Sequence, residues 1–340
     1  MSEYFPSSDE FERLSRGATV VPVYREVIAD RLTPVLAQAT LGTDAGSYLL
    51  ESVVGGEKWA RYSFVGFSPE VIVRGVGDRF ERIVDGQVEQ ELGIDPWDRL
   101  RETLAEWKPP EVDWLPRFWG GAVGYVSYDA VRTFEPTVGV ALGRDDDWEF
   151  CLAVGGTVLI FDNVRGTVRV VVPARVDGAQ KDSYARAIER IEQTLAKLDH
   201  PTLPRRLHPP DSSAELELPA SSFSRPGFCT AVEKAKEYIR AGDIFQVVLS
   251  QRFRVPLGDT DVFDVYRAMR IINPSPYMYF VRLPDRIVAG ASPETLVRLE
   301  EGQVYVRPLA GTRHRGGTER EDLAIEEELL ADPKERAEHV

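Results

Sequence analysis

Thiols, histidines, positive charge and long apolar runs are what this chain has least of. Its two cysteines, Cys151 and Cys229, lie within hydrophobic stretches and form no C-x-x-C or zinc spacing, which excludes a thiolate metal centre. Two thiols outside any disulfide framework fit a reducing compartment. The four histidines, His200, His208, His314 and His339, form no ligand pattern. No apolar run approaches the ~18 residues of a membrane span. The opening MSEYFPSSDEFERLSRG lacks the basic-then-apolar order of a secretory signal. A cytoplasmic chain with no membrane partner is expected. Lys and Arg number 41 against 55 Asp and Glu, a formal net charge of −14 that argues against a broad basic surface for nucleic acid. An anion ligand would then need local cations, backbone N–H groups or a metal. GGAVG (120–124) has neither the spacing nor the strand-to-helix setting of a dinucleotide loop.

What is present is a core-forming composition, 43% hydrophobic and 28% charged over 340 residues, enough for two domains. A polar segment (1–17) carries a short helix. Short strands and turns follow: SYLLES (47–52), RYSFVGF (61–67), and hairpins through residues 71–92 with a turn at Asp85-Gly86. Residues 96–106 have helical spacing, with Trp97, Leu100 and Leu104 on one face. FWGGAVGYVSYDAV (118–131) reads as a Gly-rich strand. Residues 150–176 hold two or three more strands, and residues 181–198 form an amphipathic helix. The Pro- and Ser-rich stretch 199–222 reads as a linker between a domain at 18–198 and a second at 223–340. The second opens on Ser224 as a helix N-cap and stops that helix at Gly242. A long strand is expected over 244–255, a helix over 261–272, and strands in YMYFVRL, RIVAGAS, TLVRLE and QVYVRPL. Residues 320–340 read as acidic helix. Strands and helices do not alternate one for one. The fold class is therefore α+β, with large antiparallel sheets rather than a doubly wound parallel sheet.

Several residues carry possible chemistry. On the expected strand 244–255, Gln246 shares a face with Ser250 and Arg252, away from Phe245, Val247 and Leu249. Composition alone makes this a solvated face, with a pocket wall as the alternative. Glu294 follows a turn in GASPE. Residues 307–312, RPLAGT, end a strand in a Gly-Thr turn whose free N–H groups and hydroxyl can hold a carboxylate. Glu335 and Glu338, three apart on a helix, share a face. Two such carboxylates suit an oxygen-ligated Mg2+ or simply a solvated acidic helix.

Taken together, AGDIFQVVLSQRF (241–253), NPSPYMYF (273–280), GASPE (290–294), RPLAGTRHRG (307–316) and DPKERAEHV (332–340) resemble the chorismate-utilising enzymes in order and spacing. LLES (49–52), RYSFVGFSP (61–69), GGAVGYVSYDAVR (120–132) and FDN (161–163) resemble the N-terminal domain of the anthranilate synthase component I family. The likeness runs from about Val20 to the end of the chain. It implies a sandwich of large antiparallel sheets with flanking helices. It also implies conversion of chorismate and ammonia to anthranilate and pyruvate, the first step of tryptophan synthesis, with ammonia from a partner glutamine amidotransferase subunit.

The resemblance assigns roles residue by residue. Relatives that make isochorismate or salicylate carry Lys at the position of Gln246, where it activates water. A Gln cannot act as a base at neutral pH and suits ammonia as nucleophile. Aminodeoxychorismate synthase component I carries Lys at the position of Ala310, so Ala310 favours anthranilate synthase over that alternative. Glu294 would be the general acid, Gly311 and Thr312 would line the chorismate site, and Glu335 with Glu338 would hold Mg2+. Glu51, Ser52, Asn273, Pro274, Pro276, Tyr277 and Met278 would bind tryptophan as feedback inhibitor. Family members continue beyond the position of Val340 with further metal, His, Arg and Tyr site residues. The 340-residue chain is therefore expected to be inactive alone, and a non-catalytic tryptophan-binding fragment is the alternative from another class.

Overall fold

The structure, a computed structural model, describes residues 3–52, 61–138, 148–209 and 219–340, apart from the side chains of Pro136 and Glu338. The chain forms two compact units. One comprises Met1–Pro204 with Tyr266–Val340, the other Arg205–Val265. Every strand pair among the described residues is antiparallel.

In the first unit, helix α1 is Ser8–Leu14, β1 Val20–Ile28, α2 Pro34–Leu41, β2 Tyr48–Glu51 and β3 Tyr62–Phe67. Next come β4 Val71–Val76, β5 Arg79–Val84, β6 Gln87–Leu92, α3 Pro96–Ala105, β7 Ala122–Val126 and α4 Val131–Phe134. Then β8 is Phe150–Val154, β9 Thr157–Asp162, β10 Thr167–Arg175 and α5 Gln180–Leu198. A seven-stranded sheet has the order β1-β10-β9-β3-β2-β13-β14, where β13 is Tyr277–Arg282 and β14 Ile287–Ser292. A five-stranded sheet runs β6-β5-β4-β8-β7. The two sheets pack face to face. Tyr48 and Val281 from the larger bury against Ile72, Cys151 and Ala153 from the smaller. Helices α2 and α5 pack on the larger sheet.

Local chemistry explains these elements. Asp85 and Gly86 both have positive φ, 49° and 78°, and join β5 to β6 in the two-residue turn that matches strand twist. Pro96 opens α3 behind the Asp95 cap, whose carboxylate accepts from Trp97 N at 2.8 Å. On the inner sheet face Tyr48 lies over Gly66 of the neighbouring strand, where an added Cβ would come within 2.0 Å of the ring. The hairpin β15 (Arg298–Glu300) to β16 (Gln303–Tyr305) turns over Glu301-Gly302 as expected. It ends before Val306, short of the expected QVYVRPL strand. Helices α8 (Glu319–Ala331) and α9 (Pro333–His339) close the chain.

In the second unit β11 is Ala220–Ser221, α6 Arg225–Ala241 and β12 Phe253–Arg254. Ser224 caps α6 and Gly242, at φ 82°, ends it. Helix α7, Val262–Ile272, starts at the end of this unit, and its residues from Tyr266 on belong to the first. Two expectations are corrected. Residues 244–252 form no strand. Only Phe253 and Arg254 ladder, to Ser221 and Ala220, and residues 244–252 join no sheet among the described residues. The strand expected over 118–131 stops at Val126, where Ser127 leads into a helical turn.

Candidate functional site

Two neighbourhoods in the first unit collect most of the candidate residues. In the first, Glu294 lies in the loop between β14 and β15 and lines an open cleft of about 520 Å³ with Ser292, Arg307 and Pro308. Its Oε1 accepts from the backbone N–H of Leu309 at 2.8 Å. Ser292 Oγ donates to the Glu294 carbonyl at 2.9 Å, which fixes the loop. Two residues beyond Leu309, the Gly311 backbone lies against Glu335, and a Cβ on Gly311 would fall 2.0 Å from Glu335 Oε2. Glu294, Gly311, Thr312 and Glu335 are thus brought to one stretch of surface.

Glu335 sits in the first turn of α9. Arg313 donates from Nη1 to Glu335 Oε1 at 3.0 Å and from Nη2 to Asp332 Oδ2 at 3.2 Å. The Glu335 carboxylate holds the Arg313 guanidinium above its usual range. Among the described residues no three His, Cys, Asp or Glu side chains gather as metal ligands. Glu338 lies on α9, but its side chain is outside the described residues.

The second neighbourhood surrounds Glu51. Glu51 on β2 pairs with Met278 on β13, so the two motifs LLES and NPSPYM meet across one ladder. Its side chain is 2% exposed. Tyr266 Oη donates to Glu51 Oε2 at 2.8 Å. Arg270 donates to Oε2 at 3.0 Å and to Oε1 at 3.3 Å. Burial, then the charge of Glu51, pushes the Tyr266 phenol far up, so it stays a donor. Met278 is buried, Pro276 half-buried, and Asn273, Pro274 and Tyr277 are exposed. Ser52, half-buried, follows β2 directly.

Gln246 lies in the second unit, exposed, in a segment without ladder bonds. Sequence reasoning missed Tyr266, Arg270, Arg313 and Asp332. Tyr266 and Arg270 stand four apart and share a helix face, a polar pair on a helix read only as amphipathic.

A family model described as chorismate binding enzyme matches residues 76–340, and the chain belongs to that family. Within it the likeness narrows. The chain is 40% identical to anthranilate synthase component 1 of Aquifex aeolicus over 340 residues, covering 98% of this chain and 67% of that one. It is 41% identical to the protein of the same name from Pseudomonas aeruginosa over 338 residues, covering 98% and 68%. The crystal structure of anthranilate synthase component I from Streptococcus pneumoniae superposes with a TM-score of 0.61 at 28% identity, covering 92% of this chain and 65% of that one. The menaquinone-specific isochorismate synthase from Escherichia coli shares the fold, with a TM-score of 0.52 at 15% identity, covering 97% and 65%. This chain spans about two thirds of the length of these relatives. No helix among the described residues is long and apolar enough to cross a membrane.

Proposed function

We propose that this chain is the chorismate-aminating component of an anthranilate synthase, acting in the cytoplasm at the entry to tryptophan synthesis. The observation that carries this is identity near 40% across 98% of the chain with proteins of that name. Gln246 and Ala310 support the same choice within the family, since neither supplies the amine that relatives use on water or on the substrate.

In this reading a partner glutamine amidotransferase subunit delivers ammonia. A C–N bond forms on the chorismate ring, and the C–O bond to the ring hydroxyl breaks. Glu294 gives that oxygen a proton, so it leaves as water. The ring carbon bearing nitrogen then loses its proton, the enolpyruvyl C–O bond breaks, and the methylene of that group gains a proton. Pyruvate departs and the ring becomes aromatic. Ammonia is already nucleophilic, so Gln246 has no proton to accept and leaves water inactive. The Gly311-Thr312 turn offers N–H groups and a hydroxyl to a substrate carboxylate. Glu294 accepts from the backbone N–H of Leu309, two residues before Gly311, which supports the pairing of the two. Magnesium remains part of the proposal, with Glu338 as a carboxylate that would hold it, but no step is routed through it. Tryptophan would act as feedback inhibitor, its ammonium at Glu51 and Ser52 and its indole among Asn273, Pro274, Pro276, Tyr277 and Met278. The ladder pairing of Glu51 with Met278 supports this grouping.

The test supplies chorismate, ammonium and Mg2+ to this chain and to the chain joined to the C-terminal third of a relative. Fluorescent anthranilate from the joined form supports the reading. A para-amino product points instead to an aminodeoxychorismate synthase, and no aminated product removes the enzyme reading. Calorimetry with tryptophan, repeated on Ser52→Ala, tests the inhibitor site. No heat at millimolar tryptophan removes that part.

A further inference from the structure

The cation that Glu335 meets in this structure is a guanidinium. Arg313 follows Thr312 directly, and its Nη1 donates both to Glu335 Oε1 at 3.0 Å and to the Thr312 carbonyl at 3.2 Å. Its Nη2 donates to Asp332 Oδ2 at 3.2 Å. One planar group thus ties the main chain of the Gly311-Thr312 turn to two carboxylates at the start of α9. Asp332 cannot drift, because its other oxygen caps α9, accepting from Lys334 N at 2.9 Å and Glu335 N at 3.3 Å. The second oxygen of Glu335 lies against Gly311, where an added Cβ would fall 2.0 Å from it and push the carboxylate aside.

We propose that Glu335 is a positioning residue that clamps the Gly311-Thr312 turn through Arg313, and that it does not ligate a metal. A carboxylate with one oxygen on a guanidinium and the other against backbone has little left for a divalent ion. Such an ion would also stand beside the positive charge of Arg313 and be repelled by it. Each carboxylate instead has a matched donor of fixed geometry. The functional meaning of the clamp rests on the reading that the turn faces chorismate. The clamp itself is testable without substrate.

Amide hydrogen exchange on the 340-residue chain reads the turn directly. Glu335→Gln keeps the shape and removes the charge. Exchange of the amides at residues 311–313 is expected to quicken about tenfold in Glu335→Gln and in Arg313→Ala, and less in Arg313→Lys. The double variant Arg313→Ala/Glu335→Gln is expected to exchange no faster than the quicker single one, because both remove the same contact. Millimolar Mg2+ or a chelator should leave the wild-type rates unchanged. Unchanged exchange in both single variants would overturn the proposal. So would protection that appears with Mg2+ and is lost in Glu335→Gln, which is the signature of a metal ligand. Chorismate binding by the chain joined to the C-terminal third of a relative, measured by calorimetry, separates the two layers. If the amides respond to Glu335→Gln while chorismate does not bind, the clamp stands and the substrate reading falls.

Discussion

Residues 47–52 and residues 244–255 both read as apolar strands in the sequence, and they reach opposite ends. In the first, Leu49 is 0% and Glu51 5% exposed; in the second, Phe245 is 94% and Val248 87% exposed. The difference lies in neighbours. β2 is laddered on both edges, to β3 and β13, while residues 244–252 have no ladder partner among the described residues. Alternation qualifies a stretch to be a strand, and only an available backbone edge makes it one. The consequence for chemistry is direct. A carboxylate on the laddered stretch is held by two named donors, whereas Gln246 lies on a segment that joins no sheet among the described residues.

Mutations can sharpen or break this contrast. The largest effect is expected at Glu51. Glu51→Ala leaves the buried Tyr266 hydroxyl and the Arg270 guanidinium without their acceptor, and should cost about 3 kcal/mol in denaturant unfolding, the low end for a broken buried pair because Arg270 is partly exposed. Gln246→Ala should change stability by less than about 0.5 kcal/mol. Equal losses would erase the distinction. Next, Gly66→Ala drives a methyl into the Tyr48 ring and should cost about 2 kcal/mol by the same measurement.

Two carboxylates of the first unit should respond to pH with opposite sign. Asp162 is pushed up by burial, but Arg61 and the backbone N–H groups of Arg165 and Val164 outweigh this and leave it below the usual range. A lowered folded value means stability that is present above the unfolded value near pH 4 and is lost as pH falls through the folded one. Asp162→Asn should therefore cost about 1 kcal/mol at pH 7, a difference that shrinks below about pH 4. Glu70 is raised by burial, partly offset by Arg175 and Arg190. Its ionised form is penalised by folding, so Glu70→Gln should stabilise by less than about 1 kcal/mol at pH 7, with the gain gone below about pH 4. Unfolding midpoints across that range check both signs. The smallest intervention touches only thiols. Cys151 is buried and its thiol pushed up to about 12, chiefly by burial, while Cys229 is exposed. One thiol should react with a disulfide reagent in the native chain and two after denaturation.

Much of the scaffold was legible in the sequence because its signals are local. Ser224 and Gly242 bracket α6, Asp85-Gly86 turns a hairpin, and Glu301-Gly302 turns another. The antiparallel class followed from strands that outnumber the helices between them. What escaped depends on distance along the chain. Tyr266 reaches Glu51 across 215 residues, and nothing around either residue announces the other. Nothing in RHRG sets Arg313 apart, and only the fold brings it to Asp332 and Glu335. The strand expected over 244–255 is too long for the opposite reason: its local pattern suits a strand, but among the described residues only Phe253 and Arg254 of it are paired. The grouping of Glu294 with the Gly311-Thr312 turn came from family resemblance, and spacing alone would have left both as ordinary surface.

The most direct test concerns what becomes bonded to the chorismate ring. The joined subunit is incubated with chorismate, ammonium and isotopically heavy water, and the product is weighed by mass spectrometry. The account predicts an aminated product carrying no heavy oxygen from water, with heavy oxygen entering only when Gln246 is replaced by Lys. A hydroxylated, heavy product from the unaltered chain would contradict it.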